Sequence, residues 1–149
     1  MKEVYMNLAL MEAEKAYKKG EVPIGAVIVK DGKILAKAHN TRNKSKNAVN
    51  HAEILAIEKA CKRLKDWRLE NAEIYVTLEP CPMCAGAIAN ARIAECHFGA
   101  YDKTSDIDFL ELIFKDKRLN HKVIYSGGTM EKECSRLLTD FFQQKRKTE

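Results

Sequence analysis

Asp31-Gly32, set between the apolar runs "PIGAVIV" and "KILAKAHN", constrains this chain more than any other pair of residues. A two-residue hairpin turn needs positive φ at its centre, which Asp-Gly tolerates, so the flanking runs are predicted to pair as antiparallel strands. Before the hairpin, Lys2 to Lys19 reads as an amphipathic helix with Val4, Leu8 and Met11 on its apolar stripe and Gly20 as its stop. After it, helical and strand patterns alternate. "NHAEILAIEKACKRL" is a predicted helix capped by Asn50, with Ile54, Leu55, Ala60 and Leu64 on the buried side. "AEIYVTL" is a short strand that runs into Glu79-Pro80-Cys81-Pro82, and "MCAGAIANA" continues as a helix with Pro82 in its first turn. "AECHFGA" and "HKVIYSG" supply two more strands, separated by the predicted helix "IDFLELIFKD", and "MEKECSRLLTDFFQQKRK" closes with a helix. A hairpin followed by alternating elements predicts an α/β fold, a mixed five-stranded sheet flanked by helices.

The 149 residues are expected to form one domain, 1–149, large enough to bury a core. No apolar run is long enough to span a bilayer, and charged and polar residues interrupt "MKEVYMNLAL", so no signal peptide is read there. A cytoplasmic protein with no membrane partner is the expectation. The 26 Lys and Arg residues against 21 Asp and Glu give a net charge of +5, which permits an anionic partner without demanding one. Five cysteines, an odd number, argue against a disulfide framework and for reduced thiols or a metal. Cys61, Cys96 and Cys134 lie in apolar segments and are expected in the core.

The remaining two, Cys81-x-x-Cys84, flank a helix start that directly follows a strand, where unpaired N–H groups favour thiolate over thiol. His51 also begins a helix. Two such helix starts side by side would present one imidazole and two thiolates to one point, a set suited to Zn²⁺ with its fourth position open to water. His39, His97 and His121 show no ligand spacing that would close the set. Residues i and i+2 on a helix do not share a face, so Glu53 is poorly placed to chelate beside His51 but well placed for proton transfer. Spacing alone leaves three other readings of the cysteines open: a redox pair, half of a structural zinc site shared across a dimer, or inert core thiols.

H-A-E followed by P-C-x-x-C resembles the signature of the zinc-dependent nucleoside and nucleobase deaminases. "GEVPIGAVIV", "AHN", "HAEILAI", "WRLENAEIYVTLEPCPMCAGAI", "FGAYD" and "LLTDFF" narrow the likeness to the bacterial tRNA adenosine deaminases, over nearly the whole chain. The resemblance implies a three-layer α/β/α cytidine-deaminase-like fold and a homodimer with active sites near the subunit interface. It implies zinc held by His51, Cys81 and Cys84. Glu53 would carry a proton from the zinc water to the adenine ring and then to departing ammonia. Asn40 aligns with a base-contacting asparagine, and Asp102 with a rim carboxylate within reach of a ribose 2′-OH. Lys145, Arg146 and Lys147 would join the footprint of a tRNA anticodon stem-loop.

Two departures stand out. Ala48-Val49-Asn50 replaces the family's P-T-A, which puts Asn50 beside the pocket as a candidate substrate contact. Residues Lys103 to Phe109, "KTSDIDF", replace a glycine-rich loop, and Asp106 and Asp108 there should weaken phosphate contacts. Deamination of a free nucleobase or nucleoside (guanine, cytosine or cytidine) is the alternative activity. A catalytically silent RNA-binding homologue is disfavoured, because a binding module has no use for Glu53.

Overall fold

The computed structural model describes every residue except Ser105, which lies within the substituted loop, and Glu149. Helix α1 (Lys2–Lys18) leads into β1 (Gly25–Lys30) and β2 (Lys33–His39), followed by α2 (Ala52–Leu64), β3 (Ala72–Leu78) and α3 (Pro82–Asn90). Strand β4 (Glu95–Ala100), α4 (Phe109–Phe114), β5 (Ile124–Ser126) and α5 (Glu131–Thr148) complete the chain. The predicted hairpin is present. Asp31 and Gly32 have φ of 51° and 73°, the double positive φ of a type I′ turn.

The five strands form one sheet in the order β2-β1-β3-β4-β5. Strand β1 runs antiparallel to both β2 and β3, whereas β3, β4 and β5 are parallel, as expected for strands joined through helices. A register shift at Ile28/Val29 bends the hairpin. Helices cover both faces and give three layers. On one face α2, α3 and α4 bury Ala52, Ala56, Ala60, Ile88, Leu110 and Phe114 against Ile28, Ile74 and Phe98. On the other, α1 and α5 bury Met6, Ala9, Leu10 and Cys134 against Val27, Val29 and Tyr75. No helix among the described residues is long and apolar enough to cross a membrane.

Three expectations need correction. Val4 and Met11 are exposed; the buried stripe of α1 is Tyr5, Met6, Ala9, Leu10, Glu12, Ala13 and Ala16. The rotation follows from close packing, because a Cβ at Gly25 would collide with the carbonyl of Ala9 and stand 2.7 Å from the amide of Ala13. Small residues must face β1 there, and Val4 and Met11 are turned outward. On α2 the fully buried residues are Ala52, Glu53, Ala56 and Ala60, with Ile54, Leu55 and Leu64 only half-buried. Asn50 does not cap α2: His51 holds the N-cap position, and the Asn50 amide instead donates to Ser45 Oγ at 2.8 Å. Cys96 and Cys134 are buried as expected, one on each face of the sheet, and Cys61 is half-buried against the cluster that holds Cys96.

Candidate active site

Two helix starts build the site in the same way. His51 and Cys81 are the N-cap residues of α2 and α3, with nearly identical extended backbones (φ −71°, ψ 157° and φ −71°, ψ 169°). Each carbonyl opens its helix by accepting the amide of Leu55 or Ala85, yet neither side chain caps its own helix. An N-cap side chain normally bonds back to the first turn. Here both turn toward a common point, and Cys84, at the third helical position of α3, joins them.

His51 Nδ1 lies 3.8 Å from Cys81 Sγ and 3.6 Å from Cys84 Sγ, and the three donor atoms fall within 4.8 Å of one another. A tetrahedral ion with Zn–N near 2.0 Å and Zn–S near 2.3 Å would separate its nitrogen and sulfur ligands by about 3.5 Å. The donor set therefore fits such an ion with little movement, and it is a set that could hold a metal. The hydrogen bond from the Cys84 thiol, then the α3 amides and His51, hold the Cys81 thiol well below its ordinary range. Cys84 is pushed upward by the same bond and by burial. A coordinating metal would take both as thiolates.

Glu53 lies at the second helical position of α2 and is only 4% exposed. Burial pushes its carboxyl up to about 7, with the Cys81 charge adding to the rise; its own amide and the Cys84 thiol oppose it. A carboxyl poised near neutral pH beside a metal-ligand set is matched to passing protons in both directions.

The other predicted contacts are not among the three donor residues. Asn40, almost fully buried, donates to the Val22 carbonyl at 3.2 Å and accepts the Arg42 amide at 3.0 Å, holding the turn out of β2. Thr41 N–H donates to the Asn50 carbonyl, which ties that turn to the residue before His51. Asp102 accepts from the Thr104 amide and hydroxyl, and its own amide donates to Glu79 Oε1. Asp102 and Asp106 line a cleft of about 300 Å³ with Glu79, Tyr101, Asp108 and Tyr125, beginning two residues before Cys81. Asp108 also caps α4 by accepting the Glu111 amide, and takes a bond from Tyr125. Lys145, Arg146 and Lys147 are exposed at the end of α5.

Glu21 was not foreseen. It is 1% exposed, and its two oxygens accept the amides of Asn43 (3.0 Å) and Lys44 (2.7 Å), pinning the loop that leads to His51. The one signal in the sequence is a charge set directly before the buried "VPIGAVIV" run.

A buried glutamate beside a His/Cys/Cys set, at two helix starts on a mixed sheet, defines the class: a deaminase. A model of the MafB19-like deaminase family matches residues 1–146. The chain is 49% identical over 146 residues to the tRNA-specific adenosine deaminase of Bacillus subtilis, covering 97% of this chain and 91% of that one. It is 45% identical to the enzyme of that name from Aquifex aeolicus, covering 97% and 96%. A structure solved in work on A-to-I editing by tRNA:A34 deaminases at the wobble position of transfer RNA matches with a TM-score of 0.84 at 39% identity, covering 91% of this chain and 99% of that one. A guanine deaminase from Nitrosomonas europaea shares the fold at 18% identity, with a TM-score of 0.81 and coverage of 93% and 83%. The chain belongs to the MafB19-like deaminase family, and its place there is with the tRNA-specific adenosine deaminases.

Proposed function

We propose that this protein hydrolyses the wobble adenosine of a tRNA to inosine with release of ammonia. What carries the reading is the buried Glu53 beside the His51, Cys81 and Cys84 donors, in a chain 49% identical to a tRNA-specific adenosine deaminase. His51, Cys81 and Cys84 hold Zn²⁺, with two thiolates and a neutral imidazole balancing its charge. When bound, the ion supplies the Lewis acidity that makes a water nucleophilic near neutral pH.

The chain's own residues move the protons. Glu53 accepts a proton as the water oxygen bonds C6 of adenine, and delivers it to N1. It then carries the second water proton to the amino group; the C6–N6 bond breaks and ammonia departs, leaving inosine. Asn40, Asn50 and Asp102 are the candidate contacts to base and ribose. Lys145, Arg146 and Lys147 join the electrostatic footprint of the anticodon stem-loop. The acidic loop weighs less against tRNA than its charge suggests, since Asp108 is engaged by the first turn of α4 and by Tyr125.

The working form is a homodimer. Met83, Phe109 and Leu112 are exposed apolar residues on α3 and α4, and Leu112 (62% exposed) borders an open cleft with Gly86 and Asn90. A second copy would remove that surface from water.

Incubation with an adenosine-wobble anticodon stem-loop and, separately, with free adenine, guanine, cytosine and their nucleosides tests the activity. Inosine should form in the RNA alone; ammonia released only from a free compound overturns the reading in favour of the small-molecule alternative. Light scattering should give twice the chain mass of 16.9 kDa.

A further inference from the structure

A second group of side chains that could hold a metal ion, Glu73, Glu95 and His97, stands on the opposite face of the sheet from the His/Cys/Cys set. Alternate residues of a strand share a face, so Glu73 and Tyr75 on β3 point the same way, as do Glu95 and His97 on β4. The parallel register pairs Glu73 with Glu95 and Tyr75 with His97. Like charges directly opposite one another destabilise a strand pair. Among the described residues, His97 is the cation-forming group within 4.0 Å of these carboxylates.

The histidine is set like a metal ligand. It is 2% exposed, its ring packs 5.2 Å from that of Tyr75, and Nδ1 lies 2.7 Å from Ser126 Oγ on β5. A contact at one ring nitrogen fixes the ring and frees the other, the usual outer-sphere arrangement of a ligating histidine. Nε2 then faces Glu95 Oε1 at 3.0 Å and Glu73 Oε1 at 4.0 Å. Tyr75 OH donates to Glu73 Oε1 at 2.6 Å and orients that carboxylate in turn. Ligands about 2.1 Å from one ion stand about 3.0–3.4 Å apart, so the Glu95 pair already fits and Glu73 needs to close by about half an ångström.

We propose that Glu73, Glu95 and His97 bind a divalent transition-metal ion. One imidazole and two carboxylates form an N/O donor set suited to Zn²⁺, Co²⁺ or Mn²⁺, and two carboxylate charges match the ion's. The carboxylates are 34% and 40% exposed, which leaves a path for the ion and room for water to complete its coordination. Lys2 of α1 acts on His97 and opposes a cation, so this site is weaker than one with two thiolates. Bound there, the ion clips β3 to β4 beneath α1, away from the catalytic helix starts. Binding at this site does not depend on which substrate the enzyme deaminates.

Calorimetric and absorbance titration of the enzyme with Co²⁺ tests it, after the His51/Cys81/Cys84 set has been filled with one equivalent of Zn²⁺. One further equivalent should bind, with weak d–d bands and no thiolate charge-transfer absorption. Glu73→Gln and Glu95→Gln, both at partly exposed positions, should each weaken that equivalent by about tenfold or more and leave the first intact. Absence of a second equivalent up to millimolar Co²⁺, or a second equivalent unchanged in both variants, overturns the site.

Discussion

Glu53 and His51 are two residues apart, and that offset gives them different surroundings. His51 ends at Nδ1 between two sulfurs, whereas Glu53, two positions further along the helix, is buried with its carboxyl against Cys84. Glu53→Ala should therefore lower kcat by about 10²–10⁴-fold, the usual contribution of a positioned acid–base group. Elemental analysis should still find the metal; its loss in this variant would make Glu53 a ligand instead. Glu21 acts one step back. Removing its carboxylate in Glu21→Ala leaves the Asn43 and Lys44 amides without their acceptor. Both residues border solvent, so the cost should be modest, about 1–3 kcal/mol by urea unfolding. The slackened loop should also weaken metal binding through His51, whereas an unchanged metal affinity would confine Glu21 to stability.

The elements were legible from the sequence because each has a local signal; their faces were not. Hairpin, strands and helices follow from Asp31-Gly32 and from apolar periodicity. The convergence of His51, Cys81 and Cys84 was legible for the same reason, since the three residues belong to two helix starts. Strand register is non-local, so His97 reads as a lone strand histidine until β3 brings Glu73 alongside. Asn50 misled because a side-chain cap competes with any other partner within reach, and Ser45 wins. The face of α1 depends on β1, where Gly25 admits the helix backbone. Gly25→Ala should force α1 away from the sheet. Backbone meeting backbone cannot relax by rotamer change, so the cost should reach about 3 kcal/mol, or roughly 6–12 °C in Tm. Helix α1 also carries a pH-dependent tie to β2. Burial alone would raise the Glu12 carboxyl, but bonds from Lys15 (2.6 Å) and His39 (3.1 Å) outweigh it and hold Glu12 below its ordinary value of 4.5. A carboxyl lowered by folding adds stability that is complete above 4.5 and is lost as pH falls through the lowered value. Urea midpoints measured across the acid range should fall less steeply in Glu12→Gln than in the parent.

At the scale of the whole molecule, the donor set brings together the starts of two helices that follow different strands of one sheet. His51 begins α2, which packs on β1 and β2, while Cys81 and Cys84 begin α3, after β3 has left the sheet. Direct packing between α2 and α3 is slight beside that of α2 on the hairpin. His51, Cys81, Cys84 and the buried Glu53 converge on one point, where His51 Nδ1 meets the two sulfurs and the Cys84 thiol also meets Cys81 and Glu53. An ion held there would bind the folded chain far better than the unfolded one, so its affinity would add to stability by mass action. At a thousandfold excess over Kd the gain is about 4 kcal/mol. For a chain of this length, that corresponds to a Tm shift of roughly 8–16 °C. Chelation followed by differential scanning calorimetry should lower Tm by that amount, and one equivalent of Zn²⁺ should restore it. The Cys81→Ser variant should start at the lower Tm and respond little to chelator or ion. A parent protein whose Tm ignores chelation would show that the sheet positions α2 and α3 on its own.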